Sequence, residues 1–232
     1  MASPRTRVKL CGTGSVEDAL LAEAHGADYV GVCVGVPFSE RNRAPKTACA
    51  IFAAVSAPGA ALFFNAPPEE TAEMFHTLGA AAVQLLGQET PKQTAELKKR
   101  IDGEVWKSIF LPAEGENKTA DASALQEQMQ RYADAGADKL LLDTAAFAGG
   151  KFRFGGTGIR SDWNLCRDLI GGAPIPTFLS GGIRPENAAE ACRLVQPFGI
   201  DLCSGAEASR GRRDPEKTAA LMRAVRGSAG VP

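Results

Sequence analysis

Short apolar runs recur along the chain with amphipathic, helix-compatible stretches between them. Eight stand out, at residues 8–12, 29–34, 60–65, 82–87, 105–110, 139–144, 176–182 and 199–205. Several are apolar at successive positions, as in Tyr29 to Val34 and Leu140 to Leu142, which is the pattern of strands covered on both faces in a parallel sheet. The intervening segments carry helix punctuation: Ser15 and Asp18 stand as a capping box ahead of Ala19 to His25, and Gly26 supplies a left-handed C-cap. Alternation of β and α units follows.

A weak internal repeat fixes how many units there are. HGADYVGV from 25, LGAAAVQL from 78, AGADKLLL from 135 and PFGIDLCS from 197 each set a glycine just ahead of, or at the start of, the second, fourth, sixth and eighth runs. That period spans two βα units, so the chain reads as four quarters of a closed (β/α)8 barrel in the α/β class. An open doubly wound sheet is the structural alternative, but GTGS at 12–15 lacks the spacing of a dinucleotide-binding GxGxxG turn. The expected organisation is one barrel domain over 1–232, with 1–7 and 227–232 as flexible tails.

Composition narrows the partners. With 26 basic and 27 acidic residues and a net charge of -1, no global field draws nucleic acid or an anionic membrane, so any anion site must be local. The six cysteines, at 11, 33, 49, 166, 192 and 203, form no CxxC pair, and with only His25 and His76 besides they offer no metal-ligand spacing. A reducing cytoplasm is the expected compartment, because the N-terminus has no apolar leader core and no window reaches the length of a membrane span. The expected partner is a small phosphorylated molecule, and the expected assembly a monomer or homodimer.

In a barrel of this kind chemistry sits where strands end. The polar candidates there are Cys11, Arg41, Asn65, Gln84, Glu89 and Asp143. Strand alternation puts Lys9 and Cys11 on one face, with Val8 and Leu10 turned to the helices, and the same parity turns Asp143 inward. The first and sixth strands are three positions apart in a ring of eight, so Cys11 and Asp143 face each other across the mouth. Each also has an ordinary structural role open to it, as a small buried hydrophobe or as a helix cap. Glycines mark the rest of the rim: Gly155, Gly156 and Gly158 in FGGTG, Gly181 and Gly182 in LSGG, and Gly205 after Ser204 in CSGAE. They either permit sharp turns or let backbone N–H groups converge on a phosphate, with AEASR at 206–210 as the short helix that would complete such a site. Lys107 and Lys139 stand near the starts of their runs and are assigned to the barrel floor, away from the mouth where a Schiff-base lysine would act. His25 and His76 fall in helices.

KLCG at 9–12, VQLLG at 83–87, LLLDT followed by GGTG and by Asp162-Trp163, LSGGIRPEN at 179–187 and DLCSGAE at 201–207 together resemble the phosphoribosylanthranilate isomerase family of tryptophan biosynthesis, in order from residue 8 to about 226. The resemblance implies an Amadori rearrangement of N-(5-phosphoribosyl)anthranilate without cofactor or metal. It makes Cys11 the general base and Asp143 the general acid, puts phosphate on loops at Gly156, Gly182 and Gly205, and matches an arginine on the anthranilate side to Arg41. The chemistry fits, since ring opening needs a proton on the furanose oxygen and the resulting iminium acidifies the C2 hydrogen for a thiolate. Lys9 is one source of the positive charge such a thiolate requires. The chain departs from the family at Leu86, where a histidine is usual, in PFSERNR at 37–43 where a Pro-Ser-Pro-Arg pattern is usual, and in the first loop, GTGS. Two other readings stay open: an isomerase for another phosphosugar or phosphoribosylamine, and a phosphate-binding barrel without catalysis.

Overall fold

In the computed structural model, which describes residues 5–112, 121–148, 151–154 and 160–227, eight parallel strands close into a ring with eight helices outside it. The strands are β1 (Arg7–Leu10), β2 (Tyr29–Gly35), β3 (Gly59–Phe63), β4 (Ala82–Leu85), β5 (Glu104–Pro112), β6 (Lys139–Ala148), β8 (Thr177–Leu179) and β9 (Gly199–Leu202). Each pairs with the next, β6 with β8, and β9 returns to β1 to complete the ring. The helices are α1 (Val16–Ala24), α2 (Pro45–Ala53), α3 (Pro68–Leu78), α4 (Pro91–Lys98), α5 (Ala122–Asp134), α6 (Trp163–Gly171), α7 (Ala188–Val195) and α8 (Pro215–Gly227). Among the described residues no helix is long and apolar enough to cross a membrane.

Strand parity divides the interior into two apolar zones. Val8, Leu10, Val30, Val32, Val83, Leu85, Leu140 and Leu142 turn outward into the large core shared with the helices. Their alternates fill the lumen. At its floor Trp106 stacks on Phe178, with ring centroids 5.6 Å apart, and Ala60, Ala82 and Leu141 complete the layer. The Lys139 ammonium closes the floor over Tyr29, Trp106 and Phe198 and pairs with Glu104, so it lies at the end opposite the mouth, where the sequence assigned it.

The structure corrects the sequence reading of the scaffold in four places. Arg7, assigned to a tail, opens β1, and its guanidinium pairs with Asp28. Lys107 is not on the floor: it shares the outward face of β5 with Val105 and Ile109, and its ammonium reaches Glu89 (2.9 Å) and the Gly87 carbonyl (2.6 Å) between sheet and helices. Ser15 accepts from the Asp18 N–H, but the reciprocal half of the capping box is missing, because Asp18 Oδ1 accepts the Arg213 N–H instead. The sixth run does not stop at 144. β6 continues to Ala148 and takes an antiparallel partner, β7 (Lys151–Phe154), a rim hairpin whose sequence signal is AAFAGGKFRF with its central Gly-Gly pair.

Candidate active site

The mouth of the barrel is built from the last inward residues of several strands. Cys11 follows β1, its N–H donating to the Leu202 carbonyl (2.9 Å), and β2 presents Gly31 beside it. A Cβ at Gly31 would lie 2.9 Å from the Cys11 Sγ and 3.0 Å from the Lys9 Nζ, so the glycine vacates the space in which ammonium and thiol meet. Lys9 is fully buried and donates to Asp201 Oδ1 (2.9 Å), on the inward face of β9, while the Ser180 hydroxyl donates to Asp201 Oδ2 (3.3 Å). Asp143, inward on β6, accepts the Thr144 N–H at 2.7 Å. Cys11 and Asp143 therefore lie within the electrostatic reach of one shared Lys9–Asp201 pair.

Charges there are displaced from their ordinary behaviour. Burial pushes the Asp143 carboxyl up to about 7, opposed by the Thr144 N–H and by Lys9 and assisted by Asp201, so the group is half protonated near neutrality. Burial also raises the Cys11 thiol, with Lys9 pulling the other way. For Lys9, burial works against the charge, but the adjacent Asp201 and Cys11 together outweigh it and the ammonium is held firmly protonated. The neighbouring Cys33 is pushed by burial up to about 12, which makes it an inert wall residue rather than a second base.

Glycine loops come together on the β8 and β9 side. Gly181 and Gly182 both have left-handed backbones, at φ 87° and 64°, and the Asn187 side chain pins the turn by donating to the Gly182 carbonyl (3.0 Å) and accepting from the Arg184 N–H (2.8 Å). Ser204 and Gly205 form a 3-10 turn, Ser204–Ala206, packed so close to the Ile183 carbonyl that a Cβ on Gly205 would collide with it. Two of the three glycine clusters thus share one edge of the mouth. Gly155, Gly156 and Gly158 lie outside the described residues.

AEASR is not a helix. Glu207–Ser209 (β10) pairs antiparallel with Arg212–Arg213 (β11) around Gly211, whose φ is 74°. The hairpin wins because the Glu207 side chain is used inside it: its carboxylate accepts from Arg41 Nε (2.8 Å) and Nη2 (2.6 Å) and from the Gly211 N–H (3.0 Å). Arg41 is thereby fixed over Gly12, and Glu207 is kept below the usual carboxylate range: burial works against its charge, but the hydrogen bond and charge of Arg41 together with the Gly211 N–H outweigh it.

An apolar surface lines the opposite side. Cys11, Cys33, Val36, Leu62 and Leu86 form one cluster with Phe64 and Phe110, and the exposed Phe38 stands edge-on to Phe64, centroids 4.8 Å apart. Gln84 lies in the lumen below Leu86, donating to the Ser108 hydroxyl (3.1 Å), while its buried Oε1 has no hydrogen-bond partner. Asn65 and Glu89 are not part of the pocket. Glu89 accepts from the Asn65 N–H (2.7 Å), the Gly87 N–H (2.9 Å) and Lys107, and the Asn65 side chain accepts from the Gln88 N–H, so both are spent ordering loops. Among the described residues no three His, Cys, Asp or Glu side chains are grouped to hold a metal. His25 ends α1 against the Leu21 carbonyl and His76 is exposed on α3.

Asp201, Glu207 and Arg213 were not singled out from sequence. Asp201 carries a usable signal, since it falls in phase with Cys203 on an otherwise apolar inner strand face. The other two owe their places to partners more than 160 residues away, which no local pattern reveals.

A family model described as N-(5'phosphoribosyl)anthranilate (PRA) isomerase matches residues 8–224. The N-(5'-phosphoribosyl)anthranilate isomerase of Methanocella arvoryzae is 35% identical over 90% of this chain and 92% of its own length. That of Rubrobacter xylanophilus is 36% identical over 90% and 94%. Among solved structures, the enzyme of the same name from Pyrococcus furiosus superposes with a TM-score of 0.80 at 27% identity, covering 96% of this chain and all (100%) of the other.

Proposed function

The chain belongs to the N-(5'-phosphoribosyl)anthranilate isomerase family, and we propose that it converts N-(5'-phosphoribosyl)anthranilate to 1-(2-carboxyphenylamino)-1-deoxyribulose 5-phosphate with Asp143 as acid and Cys11 as base. The observation that carries this reading is the pairing of a half-protonated buried carboxyl with a thiol beside an ammonium, at one barrel mouth rimmed by glycine loops.

Asp143 gives its proton to the furanose oxygen as the C1–O bond breaks, and the anilino nitrogen pair becomes the iminium. The Cys11 thiolate then takes the C2 hydrogen, and the C–H electrons form the enolamine. Transfer of a proton to C1 with loss of the C2 hydroxyl proton yields the ketone. C1 is reduced as C2 is oxidised, so electrons balance within the substrate. A turnover leaves a thiol and a carboxylate, which exchange a proton before the next.

Phosphate is assigned to the N–H groups of Gly181, Gly182, Ser204 and Gly205. The aromatic ring is assigned to the surface made by Val36, Leu62, Leu86 and Phe64. Leu86 gives that surface apolar character where a histidine would give a hydrogen bond. Gln84 Oε1 is left to accept from a substrate hydroxyl.

The test is direct: purified protein supplied with N-(5'-phosphoribosyl)anthranilate, with the ketose phosphate product identified by mass. No conversion, alongside turnover of a phosphoribosylamine bearing a different amine, overturns the anthranilate assignment while keeping the isomerase.

Two substitutions probe the assigned positions. Arg41 commits Nε and Nη2 to Glu207, leaving Nη1 outside that pair to meet the anthranilate carboxylate. Arg41→Lys should raise KM about tenfold and leave kcat within about threefold, because it removes binding shared by ground and transition states. Gly31→Ala puts a methyl group where thiol and ammonium meet, and steady-state kinetics should show kcat lowered by about tenfold or more through displacement of Cys11. Its melting temperature should stay within a few degrees of wild type.

A further inference from the structure

Among the described residues, three cations act on the Cys11 thiol, and two of them are neutralised. Lys9 is paired with Asp201, and Arg41 with Glu207. The remaining groups around the thiol, Cys33 on β2 and Cys203 just after β9, are themselves raised by burial and carry no charge near neutrality. Arg213 on β11 is different. Only 4% exposed, it donates from Nη2 to the Cys11 carbonyl (2.7 Å) and to the Thr13 hydroxyl (3.2 Å), while Nε and Nη1 have no hydrogen-bond partner. Among the described residues, Asp18 is the one carboxylate with which it is hydrogen-bonded, and it takes the backbone N–H rather than the guanidinium.

A buried cation without a counter-charge costs stability, and its field is weakly screened. Both properties make sense if the missing anion is one that forms during turnover. We infer that Arg213 is a positioning residue for the rearrangement: its charge, left without a paired carboxylate among the described residues and applied through the Cys11 carbonyl, stabilises the Cys11 thiolate as it forms to remove the C2 proton. The inference rests on the assignment of Cys11 as the base.

The experiment follows the 13Cβ chemical shift of Cys11 against pH in the substrate-free protein, with the pH profile of kcat/KM beside it, for wild type and for Arg213→Gln, Arg213→Met and Arg213→Lys. The two neutral replacements differ in shape, and Gln keeps a donor for the carbonyl, so a shared response reports charge. Both are expected to move the thiol midpoint up by about one unit and to lower the plateau of kcat/KM about tenfold, one unit of acidity being a tenfold change in thiolate. Arg213→Lys, which retains charge and reach, should hold the midpoint within about 0.3 unit and the rate within about threefold. A midpoint unchanged in the neutral variants, or a lysine variant that behaves like methionine, overturns the inference and makes Arg213 a structural brace for the first loop. If the midpoint moves while the turnover profile does not, Arg213 still tunes the thiol but Cys11 is not the base. The failure of either idea is thereby told from the failure of the other.

Discussion

Asp143→Asn is expected to lower kcat/KM for the rearrangement by about a thousandfold, because an amide keeps the shape of the carboxyl but has no proton to give the ring oxygen. The pH profile should change as well. With Asp143 titrating near 7 and the Cys11 thiol raised, the form with one proton shared between them dominates between the two midpoints. Only its minor arrangement, acid protonated and thiol ionised, is productive. In wild type kcat/KM therefore rises with pH through about 7 and falls through the thiol midpoint, whereas the variant should lose the limb at about 7 and rise instead through the thiol midpoint, with no falling limb. Stability is expected to move the other way. A carboxyl at about 7 in the fold against the ordinary 3.8 binds more protons folded than unfolded between those values, so it removes stability as pH rises from about 4 to 7. Asp143→Asn lacks that titration and should melt a few degrees above wild type at pH 8, with the gain shrinking toward pH 4. A variant within tenfold of wild-type activity, or one that melts lower at pH 8, is incompatible with the acid role.

The parts of this site that sequence made legible are those set by short-range rules. Strand parity alone put Cys11, Lys9 and Asp143 inside and Leu140 and Leu142 outside, because backbone alternation leaves no other choice once both faces are buried. The same rule, applied to Lys107, would have turned it toward the helices. Its position near the start of a run was a poorer guide, since a long side chain carries its charge a full layer away from its Cα. Asn65 and Glu89 sit at strand ends as catalytic residues do, yet backbone N–H groups in the loops after β3 and β4 compete for their oxygens and win. AEASR, expected as a short helix from its place after the eighth run, is overridden by the ion pair between Glu207 and Arg41. What stays invisible is compensation: whether a buried charge has a partner depends on residues brought together by closing the ring, as with Arg213 and the first loop.

Cys11→Ser should reduce kcat by about a thousandfold or more, since a serine hydroxyl in the same place is far less acidic than a thiol and offers almost no alkoxide at pH 7. Phosphate contacts are untouched, so the affinity for inorganic phosphate or a reduced product analogue should stay within about threefold, separating lost chemistry from lost binding. The two substitutions act on different bonds, and that gives a sharper test than rate alone. Cys11 is assigned to the C2 hydrogen and Asp143 to the ring oxygen. Substrate deuterated at C2 should therefore show a primary isotope effect on Cys11→Ser at least as large as on wild type, because C–H cleavage becomes the slow step. Asp143→Asn should show little, because ring opening then limits turnover before the deuterium is reached. An isotope effect that is absent in Cys11→Ser and full in Asp143→Asn would reverse the two roles. Equal rates for Cys11→Ser and wild type would move the base elsewhere in the mouth, and with Cys33 held near 12 by burial no other thiol on that wall could take its place.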